Sequence, residues 1–139
     1  MSIKKEAFYE GAALHQILTS LSRVTVSYQS PFFVLNSAQR IYFKYSAAGQ
    51  SPWGFTFSAE EQSSLRDDYD EPVILGLICG SDGVVTVPLE LFDVIAGQRD
   101  ASVAISCQRR FRKHYEVSGP DGRADRKIAP SEWQNLLLS

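Results

Sequence analysis

A mixed α/β (α+β) fold is what this sequence predicts: one domain of two or three layers, with a central mixed β-sheet flanked by helices. Three observations carry the prediction. Apolar residues recur at Ala7, Leu14, Ile17, Leu18 and Leu21 with helical spacing. The run Val73 to Cys79, VILGLIC, is nearly continuous in apolar residues, the pattern of a central strand covered on both faces. Between them, Phe32 to Asn36 and Ile41 to Ser46 flank the polar stretch Ser37 to Arg40, which reads as an antiparallel hairpin. With 139 residues and 44% hydrophobic content, the chain suits a single domain over 1–139 that buries a real core.

Taken in order, the first helix spans Lys5 to about Ser22. On a helical wheel Glu10 falls within its apolar stripe, under Leu14, Ile17 and Leu21, so a carboxylate faces the core and calls for a partner such as Lys44 or an ion. Val24 to Tyr28 alternates and is β-branched, a short strand. In the hairpin that follows, Lys44 shares a face with Tyr42 and Ser46, while Ile41, Phe43 and Tyr45 take the other. The length of the loop decides whether Asn36 joins Lys44 on that face. Trp53 to Phe57 alternates as a third strand of this region, after the Gly49 to Pro52 punctuation. Ser58 with Glu61 three residues on makes a capping box for a helix to about Arg66.

Ser81-Asp82-Gly83 turns the chain after the central strand, Asp-Gly being a favoured short turn, and Val84 to Val87 returns as its partner. Pro88 and Gly97 bracket a short helix over Leu89 to Ala96. Ala101 to Cys107 is a further apolar strand. Phe111 to Val117 alternates as another, before the turn Ser118 to Gly122. A last helix over about Ser131 to Leu138 places Trp133, Leu136 and Leu137 against the body.

Composition excludes several function classes. A charged fraction of 22% and a net charge of −2 name no partner in bulk. The N-terminal residues lack the apolar core of a signal peptide and no run is long enough to span a bilayer, so the expected setting is the cytoplasm, with no membrane partner. Cys79 and Cys107 sit in apolar runs without metal-ligand spacing, which predicts two buried, reduced thiols. Neither histidine, His15 or His114, stands beside a nucleophile motif, and no glycine-rich phosphate loop is present.

Local charge is more informative. Seven of the 14 basic residues, Arg109, Arg110, Arg112, Lys113, Arg123, Arg126 and Lys127, fall within a 19-residue span that also holds His114 and Tyr115. Such a strand and loop suits phosphate contacts, and the acids of 60–71 make an opposing negative surface. The candidate contacts are Arg109, Arg110, Arg112, Lys113, His114, Arg126 and Lys127. An acidic protein partner would satisfy the same cluster.

The order of elements over residues 5–96, a helix with an inward Glu10, strands, a hairpin with Lys44 on its second strand, a helix, then VILGLICGSDGVVTVPLELF, resembles the PD-(D/E)xK superfamily of restriction-endonuclease-like nucleases. The resemblance implies a restriction-endonuclease-like core, a nucleic-acid substrate with DNA ahead of RNA, and a magnesium ion. Carried onto this chain, it implies Glu10 as the helix acid and metal ligand, Asn36 at the position of the family's aspartate, and Lys44 as the lysine that steadies the nucleophile. Asn36 and Tyr42 stand where the family has carboxylates, and Glu116 and Asp82 are acids without a placed role. The block Lys44-Tyr45-Ser46 with Ser51-Pro52-Trp53, Phe55 and Phe57 is also similar to one in small bacterial proteins. Three readings follow: a magnesium-dependent endonuclease, degenerate at its acids; a non-catalytic nucleic-acid-binding module using 109–127; and a protein-interaction module, an immunity or regulatory subunit, using the aromatics of 51–57.

Overall fold

The computed structural model describes residues 3–19, 21, 23–110, 113–132 and 134; among them, three helices and nine strands in two sheets make a mixed α+β fold. The first helix, α1 (Lys5–Leu18), is followed by β1 (Val26–Gln29), β2 (Phe32–Leu35), β3 (Gln39–Ser46), β4 (Trp53–Phe57) and α2 (Ala59–Leu65). Then come β5 (Val73–Cys79), β6 (Gly83–Pro88), α3 (Leu89–Ile95), β7 (Val103–Arg109), β8 (Tyr115–Gly119) and β9 (Gly122–Arg123). The C-terminal helix expected near Ser131 to Leu138, with Trp133, Leu136 and Leu137, falls largely outside the described residues.

The larger sheet runs β1-β2-β3-β5-β6, with β3 and β5 parallel and the other neighbours antiparallel. All seven residues of β5 are buried, because both faces of this central strand are covered. On one face α1 packs Ala13 and Ile17 against Leu35, Ile41, Phe43, Ile74 and Ile78, and Tyr9 stacks on Tyr45 at 4.8 Å between ring centroids. Gly76 belongs to this face for a steric reason: a Cβ there would lie 2.6 Å from the Phe43 ring. The other face, with Leu75, Leu77, Val85 and Val87, meets the second sheet through Phe55, Phe57, Ile105 and Val117, closed at the side by Leu65 of α2 and Phe92 and Ile95 of α3.

That second sheet, β4-β7-β8-β9, is the main departure from the single central sheet expected. Its strands alternate, with Trp53, Phe55 and Phe57 buried and Gly54 and Thr56 exposed. A strand with one wet face suits a sheet covered on one side only, so β4 leaves the larger sheet and pairs with β7, Trp53 opposite Cys107 and Phe57 opposite Val103.

The β2–β3 connection also differs. Its turn is Asn36 to Ala38, closed by the Ala38 amide donating to the Leu35 carbonyl at 2.9 Å, and Asn36 and Ser37 both adopt left-handed backbone, at φ 55° and 53°. Strand β3 therefore starts at Gln39, and Arg40, expected in the loop, is a buried core residue. Its guanidinium lies 4.3 Å from the Tyr69 ring centroid and 5.0 Å from that of Phe32, pairs with Glu71 at 2.8 Å and donates to Gln29 Oε1 at 2.9 Å.

Candidate functional site

The three residues implied as catalytic do not converge. Asn36 is a turn residue: its amide oxygen accepts from the Thr25 backbone N–H at 2.9 Å and its own N–H donates to the Thr25 carbonyl at 2.8 Å. Lys44 lies eight residues further on, five beyond the start of β3, which at about 3.3 Å per residue puts roughly 16 Å of strand between it and the turn. The expected alternation holds, with Tyr42 and Lys44 facing away from α1. Glu10, on α1, lines a separate groove and is not the carboxylate that Lys44 bonds, although the Glu6 and Glu10 charges are felt at the Tyr42 hydroxyl.

The partner is Glu61, which the sequence placed only as half of a capping box. The box is present: Ser58 Oγ accepts from the Glu61 N–H at 3.1 Å and Glu61 Oε1 accepts from the Ser58 N–H at 3.0 Å. Glu61 Oε2 then accepts from Lys44 Nζ at 2.9 Å and from the Tyr42 hydroxyl. Burial alone would raise the Glu61 carboxyl, but the Ser58, Tyr42 and Lys44 donors outweigh it and hold it below its ordinary value. The Tyr42 hydroxyl is pushed up, by burial first and then by Glu61, so it stays a donor. Glu6, Tyr42, Phe43, Lys44, Tyr45 and Glu61 line a cleft of about 220 Å³. Both oxygens of Glu61 already accept hydrogen bonds, and among the described residues no group of three His, Cys, Asp or Glu side chains could hold a metal ion.

Glu10 instead lines a groove with Ala7, Gly11, Leu14, Tyr28 and Phe33. Burial, and then the neighbouring Glu6 carboxylate, push its carboxyl up to about 7. The folded protein therefore holds this proton up to a higher pH than the unfolded chain, and stability falls as pH rises from the ordinary carboxylate range to about 7. With solvent screening at this half-exposed position, Glu10→Gln is expected to stabilise the fold by about 1 kcal/mol at pH 8 and to flatten that fall. Thermal melts of the two proteins between pH 5 and pH 8 check it.

The basic span resolves into two unequal parts. Strand β8 begins at Tyr115, so the span folds as a β7–β8 hairpin in which Arg109 pairs with Tyr115 and Arg110, Lys113 and His114 belong to the connecting loop, not to the strand expected from Phe111. The Lys113 amide donates to the Arg110 carbonyl at 2.9 Å and Arg109 Nε donates to the Lys113 carbonyl at 2.7 Å, a tight closure that cannot continue the ladder. Arg110, Lys113 and His114 are exposed, and among the described residues none of them forms an ion pair. Arg112, like Phe111, lies outside the described residues. Arg126 and Lys127, by contrast, face Glu132 at 3.3 Å and Glu116 at 3.5 Å, which offsets their charge. The acidic surface of 60–71 is similarly reduced, since Glu61 and Glu71 serve Lys44 and Arg40.

Asp82 fixes the base of the loop. From the β5–β6 turn, its Oδ2 accepts from Arg109 at 2.8 Å and from the Tyr115 hydroxyl at 2.5 Å. Burial alone would raise the Asp82 carboxyl, but those two donors outweigh it and keep it ionised below its ordinary value; the Tyr115 hydroxyl is pushed up by burial and by Asp82. Gly49, Gln50, Ser51, Trp53, Asp82, Arg109 and Arg110 surround an open cavity of about 370 Å³ beside the loop. Asp82 and Tyr115 carry no motif that marks them; only the Asp-Gly turn and the alternation of 115–117 hinted at their places. The expected pair of free, buried thiols is found: Cys79 and Cys107 are both fully buried, and the neighbouring Cys107 thiol, together with burial, pushes Cys79 up. No described helix is long and apolar enough to cross a membrane. Compared with protein-family models, with curated proteins and with solved structures, the chain finds no match.

Proposed function

We propose that the protein binds nucleic acid through the β7–β8 hairpin loop, without cleaving it. The observation that carries the reading is the loop itself: Arg110, Lys113 and His114 stand exposed on a short connection whose base is held by the Asp82–Arg109–Tyr115 network. Exposed, unpaired cations on a fixed backbone can neutralise successive phosphates, whereas Arg126 and Lys127, facing carboxylates, contribute less. Two buried free thiols accord with a cytoplasmic place of action. A nuclease-like ancestry is supported by element order alone, α1, β1 to β3, α2 and β5, with β5 parallel beside β3. On this reading the scaffold keeps binding and lacks the acids for hydrolysis.

The test is binding of a fluorescent 20-mer, single-stranded and duplex, by the protein and by its Arg110→Glu/Lys113→Glu variant. Reversing two phosphate contacts is expected to weaken binding about tenfold or more on either strand form. Equal binding by the variant sinks the interface. Cleavage of the oligonucleotide with magnesium, abolished by Lys44→Ala, would establish the catalytic reading in its place. Binding of acidic polypeptide but not of nucleic acid would establish a protein partner.

A further inference from the structure

The most conspicuous apolar surface lies between α1 and the edge strand β1. Among the described residues five large apolar side chains are exposed, and four of them, Ile3, Phe8, Val26 and Tyr28, belong to α1, its lead-in or β1. Surface apolar residues are ordinary when scattered, but a cluster beside a groove is a recognition surface. Between helix and strand, the groove of about 400 Å³ has Ala7, Gly11 and Leu14 as one wall and the Tyr28 and Phe33 rings, 4.9 Å apart, as the other.

Two features say what fits there. Strand β1 ends the larger sheet, pairs on one side with β2, and has all four residues exposed, so its free edge offers backbone donors and acceptors to an added strand. Glu10 lines the groove, and among the described residues it forms no ion pair with a cation. An apolar groove with an unpaired carboxyl at its rim is complementary to a cation between apolar side chains.

We propose that this groove docks an extended segment of a partner protein, added to the β1 edge, whose inward apolar residues flank a lysine or arginine that meets Glu10. The site is separate from the basic loop, and its occupant is polypeptide where the loop's is nucleic acid. Gly11 provides a clean blocking variant, because a Cβ there meets nothing within 4 Å, so Gly11→Leu fills the groove without disturbing the helix.

The probe is a capped nonapeptide alternating valine and threonine with lysine in place of the central valine, together with its twin carrying glutamate there. Titrated into the isotopically labelled protein, the lysine peptide is expected to shift amides of residues 7–14 and 26–29. The glutamate twin binds about tenfold more weakly or worse, and Gly11→Leu, with an unchanged melting temperature, abolishes the shifts. Equal binding of the two peptides, shifts confined to other surfaces, or no binding by either overturns the proposal. So does self-association of the free protein in sedimentation that Gly11→Leu removes, which would assign the face to a second copy of the chain.

Discussion

Glu71→Ala is expected to destabilise the fold by about 3 kcal/mol, the cost of leaving a buried guanidinium without its carboxylate. The Arg40 and Glu71 side chains are only 8% and 14% exposed and lie 2.8 Å apart, and the guanidinium is walled by the Tyr69 and Phe32 rings. Water cannot readily replace the lost partner there. The loss should show in chemical denaturation as a lower midpoint at unchanged slope. The double variant Arg40→Met/Glu71→Leu is expected to recover most of it, because an apolar pair of similar volume removes the charge as well as its counter-charge. If the double variant is as unstable as the single, the ion pair is not what holds β3 to the 69–71 segment.

Asp82→Ala is expected to cost about 2 kcal/mol near neutral pH, since one carboxylate oxygen serves both Arg109 and the fully buried Tyr115. The carboxyl is held below its ordinary value in the folded state, so the stability it contributes is present above the unfolded pKa and is lost as the pH falls through the folded one. The gap between wild type and variant should therefore narrow on acidification. Arg109 also donates to the Lys113 carbonyl, so release of Arg109 should loosen the loop. Faster exchange of the Lys113 amide in Asp82→Ala, with β5 exchange unchanged, is the local readout. Tyr115→Phe, which removes the hydroxyl's bond to Asp82 and its longer one from Arg109 but leaves the ion pair, should lose about half as much.

How much of this was legible in the sequence differs by element. The burial of β5, the one-sided alternation of β4 and the Ser58–Glu61 capping box are local patterns, each set by residues a few positions apart, and each is present. The turn expected at Ser81-Asp82-Gly83 falls one residue earlier, with Gly80 in left-handed backbone and Gly83 opening β6. The partition into two sheets is not local. Pairing β4 with β7 joins Trp53 to Cys107 across the whole of β5, β6 and α3, and no short window encodes it.

Register decided the candidate site. A three-residue turn instead of four starts β3 at Gln39, turning Arg40 from a loop residue into the cation of the core. The same turn takes Asn36 into left-handed backbone and ties it to Thr25, which is why an amide stands there. Lys44 was rightly placed on the Tyr42 face, but its carboxylate comes from α2, whose landing over β3 depends on tertiary packing. Glu10 reads as core-facing on a wheel; the helix stripe is centred on Ala13 and Ile17, which leaves Glu10 at the rim of a groove.

The salt dependence of nucleic-acid binding tests the central claim most directly. With Arg110 and Lys113 as the charged contacts, the logarithm of the binding constant for a duplex 20-mer is expected to fall linearly with the logarithm of salt concentration, with a slope of about −2. In Arg110→Glu/Lys113→Glu the slope should approach zero as binding is lost. A wild-type slope near zero, or a slope that the double variant leaves unchanged, contradicts nucleic-acid binding by this loop.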